Sequence, residues 1–201
     1  MNRPSLPFLS TIISIAIFAA PLVASATSAN VKRANDINPD PHIFETTITA
    51  APKRLRLASG ELVTVFAYNG LVPGPEIRVK QGDRLIVHFE NALPEGYTST
   101  IHWHGIELNN SSDGTPMTQD PVKPGEAFTY DFIVPRSGVF WYHPHIRGSQ
   151  VVNAGLYGSL IVEEQAEREL IKGNILPRRD RTIVLSDMSV VDGALKDIES
   201  A

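Results

Sequence analysis

From about His42 onward, apolar and polar residues alternate with a period of two, in short runs separated by clusters of Gly, Pro, Asn and Asp. That period belongs to a strand with one buried face, and many short strands at regular spacing predict an all-β sandwich or barrel. The clearest runs are ELVTVFAY (61–68), DRLIVHFE (83–90), TSTIHWHGIEL (98–108), AFTYDFIV (127–134), GVFWYHPH (138–145) and GSLIVEE (158–164). Within DRLIVHFE, Leu85, Val87 and Phe89 share one face; within AFTYDFIV the inward set is Phe128, Tyr130 and Phe132. The turns VPGPE, KQGD, VKPGE and RSG supply the Pro and Gly that such connections need. No internal repeat is visible.

The flanks read differently. Residues 1–26 carry one early basic residue, Arg3, then the apolar run TIISIAIFAAPLVA and the small-residue stretch ASA, the pattern of an export signal cleaved after Ala26. The run is shorter than the roughly 20 apolar residues of a membrane span, so no spanning helix is expected. Without a twin-arginine pair, the general secretory route to a periplasmic or secreted location is expected. Residues 27–41, TSANVKRANDINPDP, read as a flexible polar leader, and 42–166 as the folded domain. QAERELIKGNILPRRD has weak helical character, and the strand-like RTIVLSDMSV after it makes 167–201 a linker and the first strand of a second domain that is not completed.

Composition narrows the chemistry. The net charge is -4, and the basic runs KRLR (53–56) and RRDR (178–181) are short and interrupted, so a nucleic-acid partner is not expected. The chain contains no cysteine. It therefore relies on core burial rather than disulfides, and it cannot build a blue-copper electron-transfer site, which requires a cysteine thiolate.

Four of the six histidines form two H-x-H pairs, His102 with His104 and His143 with His145. In a strand, residues two apart point to the same face, about 6.6 to 6.8 Å apart along the chain. That separation suits two neighbouring ions better than chelation of one. Imidazole alone does not choose among copper, zinc, iron and nickel. His42 and His88 read as a leader residue and an unpartnered strand-face residue. Trp103 and Trp141 read as core residues pointing away from the histidines, and Gly105 and Pro144 as residues that bend the strands.

Four blocks resemble the multicopper oxidases, the family of laccases, bilirubin oxidases and bacterial copper-resistance oxidases: YNGLVPGPEIRVKQGDRLIVHFEN, TIHWHGIELNNSSDGTPMTQDPVKPGEAFTYDF, SGVFWYHPH and NAGLYGSLIVEE, spanning roughly residues 68–164. The resemblance implies a cupredoxin-like Greek-key β-sandwich, the N-terminal domain of such an enzyme, that donates four of the eight histidines around a trinuclear copper cluster. By that resemblance His102 is a ligand of the type 2 copper, His104 and His143 of one type 3 copper, and His145 of the other. By that resemblance Asp113 matches the acidic residue that helps deliver protons to reduced oxygen; from the residues alone, Ser-Asp-Gly reads first as a turn.

The remaining ligands and the blue-copper site would come from further C-terminal cupredoxin domains of the same enzyme, or from a separately encoded half, with O2 as the electron acceptor. Two other readings stand beside this one: an exported module that stores or delivers copper, and a non-functional remnant with an exposed apolar face.

Overall fold

The computed structural model describes residues 31–177, 180–191, 194 and 195. The export signal read in residues 1–26 lies outside the described residues.

Two four-stranded sheets pack face to face. The first has the order β2-β1-β4-β6, from β1 (Ile43–Arg56), β2 (Leu62–Tyr68), β4 (Arg84–Asn91) and β6 (Ala127–Ile133). The second has the order β3-β8-β7-β5, from β3 (Ile77–Lys80), β5 (His102–His104), β7 (Gly138–His143) and β8 (Gly158–Glu163). Pairings within the sheets are antiparallel except β1 with β4 and β3 with β8, where the chain crosses between the sheets before returning.

The alternation seen in the sequence decides the layers. Leu85, Val87, Phe89 and Tyr130 are fully buried on the inner face of the first sheet, and Trp103, Tyr142 and Leu160 on that of the second. Trp103 joins the layers: its indole lies 5.7 Å from Tyr130 and 5.2 Å from Phe132, both edge-on, and 5.8 Å from Tyr142. The Tyr130 hydroxyl accepts the Ile101 backbone N–H at 2.7 Å, tying β6 to the residue before β5. Phe128, expected inward, is only partly buried, near the open end of its strand.

β1 is the longest strand, yet its sequence hardly announces it. Of its inward residues Thr46, Ile48 and Ala50, only Ile48 is a large apolar side chain, so the alternation is faint. Pro52 sits beyond the stretch of β1 that pairs with β4, which ends at Ala50, so its missing N–H costs no ladder bond.

The strand expected over 98–108 shrinks to His102–His104. Gly105 turns the chain in the left-handed region, at φ +87°, which ends pairing immediately after His104. Pro144, lacking an N–H, ends β7 at His143.

Around the sandwich lie two helices, α1 (Gly148–Asn153) and the fully surface-lying α2 (Gln165–Lys172), and a small hairpin of β9 (Val190–Val191) and β10 (Ala194–Leu195) whose Leu195 joins the core. Of RTIVLSDMSV only Val190 is in a strand: residues 181–189 alternate in sequence, but they hydrogen-bond into no ladder, and Ile183 and Leu185 stay exposed. Side chains hold this segment instead. Buried Glu76 accepts from Arg78 at 2.8 Å and from the Thr182 hydroxyl, and Arg78 also reaches Asp180 at 2.7 Å. Arg33 lies 3.4 Å from the same carboxylate, and the backbone of Lys32 and Ala34 pairs with Glu76 at 2.7 and 2.8 Å. Part of the polar leader is thus fastened along β3.

Candidate metal centre

β5 and β7 pair antiparallel with His102 opposite His143, Trp103 opposite Tyr142 and His104 opposite Trp141. Directly opposed residues project to the same side of a sheet. Since Trp103 and Tyr142 fill the core, His102, His104, His143 and Trp141 must emerge on the outer face. His145, the residue after Pro144's break in the ladder, folds back toward them. Its ring centroid lies 4.7 Å from that of His102 and 5.8 Å from that of His143. His102 is 5.8 Å from His104 and 5.6 Å from His143, and His104 is 5.4 Å from His143. All four histidines singled out in the sequence therefore come together.

Trp141 does not behave as expected. Trp103 is fully buried, but Trp141 is 38% exposed and stacks on His143, centroids 3.9 Å apart and planes 24° apart. The sequence held the signal for this: Trp141 and His143 are two apart on one strand, so they share a face. The core residues of that strand are Phe140 and Tyr142.

Hydrogen bonds assign the ring nitrogens. His102 Nδ1 lies 2.7 Å from the backbone carbonyl of Asp113, and His143 Nδ1 lies 2.9 Å from that of Pro144. A carbonyl can only accept, so both Nδ1 atoms carry protons and both Nε2 atoms keep lone pairs. Anchoring the far nitrogen on a carbonyl is how metal-binding histidines are commonly oriented. His104 Nδ1 faces His143 Nε2 at 3.2 Å and donates to it. Desolvation, opposed by the Pro144 bond and reinforced by the neighbouring imidazoles, pushes His143 down to about 4. His145 is lowered as well, first by burial and then by His102. Both are neutral at pH 7, the form that binds metal.

The carbonyl that holds His102 is delivered by a loop whose 3-10 turn, Asn110–Ser112, leads into Asp113. Gly114 makes the approach possible. It has φ +75°, and a Cβ on it would stand 1.8 Å from the Ile101 carbonyl oxygen. The Asp113 carboxylate itself is 3.5 Å from His102 Nδ1, beside the site with its side chain 29% exposed. A cavity of about 350 Å³ opens on the other flank, between the histidines and the first turn of α1.

The donor set fits a metal in pairs rather than as one cage. Two nitrogens 3.2 Å apart, His104 Nδ1 and His143 Nε2, are close enough that both would bind one ion. His104 has only to carry its proton on Nε2 instead of Nδ1. Among the described residues no group of three His, Asp or Glu side chains is disposed to hold a single ion.

The two other histidines stand apart. His42 is exposed, 3.8 Å from Asp83. His88 is not unpartnered: its Nε2 lies 2.7 Å from Glu45, its Nδ1 3.1 Å from the Thr129 hydroxyl. The His88 bond, with one from Asn38, holds the Glu45 carboxyl below its usual range.

A β-sandwich with four clustered histidines on its outer face defines a candidate metal-binding domain. The multicopper oxidase family model matches residues 49–167, and the chain belongs to that family. It is 38% identical over 152 residues to multicopper oxidase MmcO of Mycobacterium tuberculosis, covering 74% of this chain and 28% of that protein. To L-ascorbate oxidase of Nicotiana tabacum it is 48% identical over 108 residues, 52% of this chain and 18% of that one. Among solved structures, a multicopper oxidase from Campylobacter jejuni, titled a metallo-oxidase, matches with a TM-score of 0.63 at 33% identity, over 68% of this chain and 29% of that one. The multi-copper oxidase from Pediococcus acidilactici gives 0.73 at 28% identity, over 84% and 36%. The chain thus spans less than a third of the length of the curated relatives named here. Membership implies copper as the cofactor.

Proposed function

We propose that this chain supplies half of the histidine ligands of a trinuclear copper centre at which O2 is reduced to water. His102 holds the type 2 copper, His104 and His143 share one type 3 copper, and His145 holds the other. The observation that carries this reading is the facing pair, His104 Nδ1 and His143 Nε2, 3.2 Å apart among four neighbouring imidazoles. The remaining ligands and the blue-copper site belong to further cupredoxin domains, in the same polypeptide or a separately encoded half. The reducing substrate, a phenol, a pigment or a reduced metal ion, meets the protein there.

When bound, copper accepts electrons one at a time and passes four of them to O2, which takes up four protons and leaves as two waters. What this chain does around that chemistry follows from its own groups. The Asp113 and Pro144 carbonyls hold the Nδ1 atoms of His102 and His143, so each ring offers its Nε2 as the metal donor, that of His143 toward His104 Nδ1. Burial keeps His143 neutral. Asp113, beside His102 and partly open to water, holds and replenishes protons for reduced oxygen.

An exported location, periplasmic or extracellular, rests on the signal pattern of residues 1–26; no described helix is long and apolar enough to cross a membrane.

Copper titration of the purified chain tests the proposal against a variant in which His102, His104, His143 and His145 are all replaced. The chain takes up Cu(II) and the variant does not. Equal uptake by both would remove the histidines from the account. Uptake with strong affinity and full coordination by the isolated chain would favour a copper storage module instead.

A further inference from the structure

The site contains one large aromatic side chain that the core does not need. Trp141 is 38% exposed, while Trp103, Tyr130 and Tyr142 already fill the interior beneath it. Its indole lies 3.9 Å from the His143 ring at 24°, and 5.1 Å from the His104 ring at 31°. It is therefore stacked on one member of the pair whose nitrogens face each other and tilted against the other. Strand register enforces this: Trp141 stands directly opposite His104 and two residues before His143.

Such a platform answers a physical need. The outer torsion of a histidine side chain is broad and roughly two-fold, so packing or hydrogen bonds must decide which nitrogen points where. His102 and His143 have carbonyl tethers. Among the described residues the His104 ring hydrogen-bonds only to the His143 nitrogen. That bond is lost once an ion takes the space between them, which leaves ring contacts to hold His104.

We infer that Trp141 is a positioning residue for the metal pair, a flat wall that keeps His104 Nδ1 and His143 Nε2 facing each other before and after an ion enters. The inference rests on the reading that this pair shares one ion. It concerns orientation, not electron transfer or contact with O2.

The experiment uses the full chain and two variants, Trp141→Phe, which keeps a smaller flat surface, and Trp141→Leu, which keeps only apolar cover. Circular dichroism and thermal unfolding check that each folds. In the metal-free protein, the carbon-bound ring protons of His143 and His104 are shifted upfield by the stacked indole. They return toward ordinary values in Trp141→Leu and stay partly shifted in Trp141→Phe. Cu(II) then binds Trp141→Leu about 10- to 100-fold more weakly, with a broadened electron paramagnetic resonance spectrum, and Trp141→Phe within a few-fold of the unaltered chain. Unchanged ring resonances in folded Trp141→Leu, or unchanged affinity and spectrum, overturn the inference. An unaltered chain that takes no copper overturns the functional reading instead, and the ring resonances still decide whether Trp141 orders the pair.

Discussion

His104 Nδ1 donates to His143 Nε2 across 3.2 Å, linking the two H-x-H motifs through the nitrogens that an ion would use. The strands carrying them are joined in sequence by more than thirty residues, yet β5 pairs with β7 alone. Two residues sharing one ion act as a unit, so their substitutions are not additive. Copper content of His104→Ala, His143→Ala and the double variant should fall to the same level, with the double no lower than either single. Independent, additive losses would place the two on different ions.

Burial of His143 makes the metal-free protein acid-sensitive. The folded chain keeps this imidazole neutral down to about pH 4, whereas an unfolded chain protonates it near the ordinary 6.5. Between those values protons bind preferentially to the unfolded chain. Stability is therefore fully present above 6.5 and declines as pH falls toward 4, by up to about 3 kcal/mol from this residue. His145 adds in the same direction. Urea unfolding across that window should show the decline, and His143→Gln should flatten it.

Gly114 is expected to be intolerant of any side chain. Alanine there needs a strained backbone at φ +75° and meets the Ile101 carbonyl at 1.8 Å. The loop must retreat, taking the Asp113 carbonyl from His102. Gly114→Ala should cost about 1–3 kcal/mol in denaturant unfolding and lose the downfield His102 Nδ1 proton signal. A change in stability with that signal intact would mean that the loop is not what orients His102.

The buried carboxylate of Glu76 gathers Arg78, Arg33 and Thr182 from three parts of the chain. Removing one partner of a buried ion pair costs about 3–5 kcal/mol. Arg33 remains in Arg78→Ala, so the lower end, about 3 kcal/mol, is expected by urea unfolding. Hydrogen exchange should rise first in residues 32–34 and 180–182, and rates unchanged there would contradict the fastening role.

Much of this was legible in the sequence because the alternation of Leu85, Val87 and Phe89 is strong and because two H-x-H pairs beside aromatic residues are hard to read as ordinary surface. The faint pattern of β1 was not, since Thr46 and Ala50, on either side of Ile48, carry little hydrophobic contrast. The two tryptophans look alike in their motifs, but strand parity separates them: Trp103 faces the core and Trp141 shares its face with His143. The Asp113 carbonyl could not be foreseen: backbone groups carry no sequence signal, and its approach depends on a loop folding back over eleven residues. RTIVLSDMSV has a strand's pattern without a strand's partner, which local sequence cannot distinguish.

The central claim, that this chain offers each copper ion only part of a shell, is tested most directly by X-ray absorption of the copper-loaded full chain. At most two imidazoles per ion are expected, with water or other light ligands completing the coordination, and the two-imidazole component should vanish in His104→Ala/His143→Ala. Three or more imidazoles on one copper would contradict the account and make the chain a self-sufficient copper site.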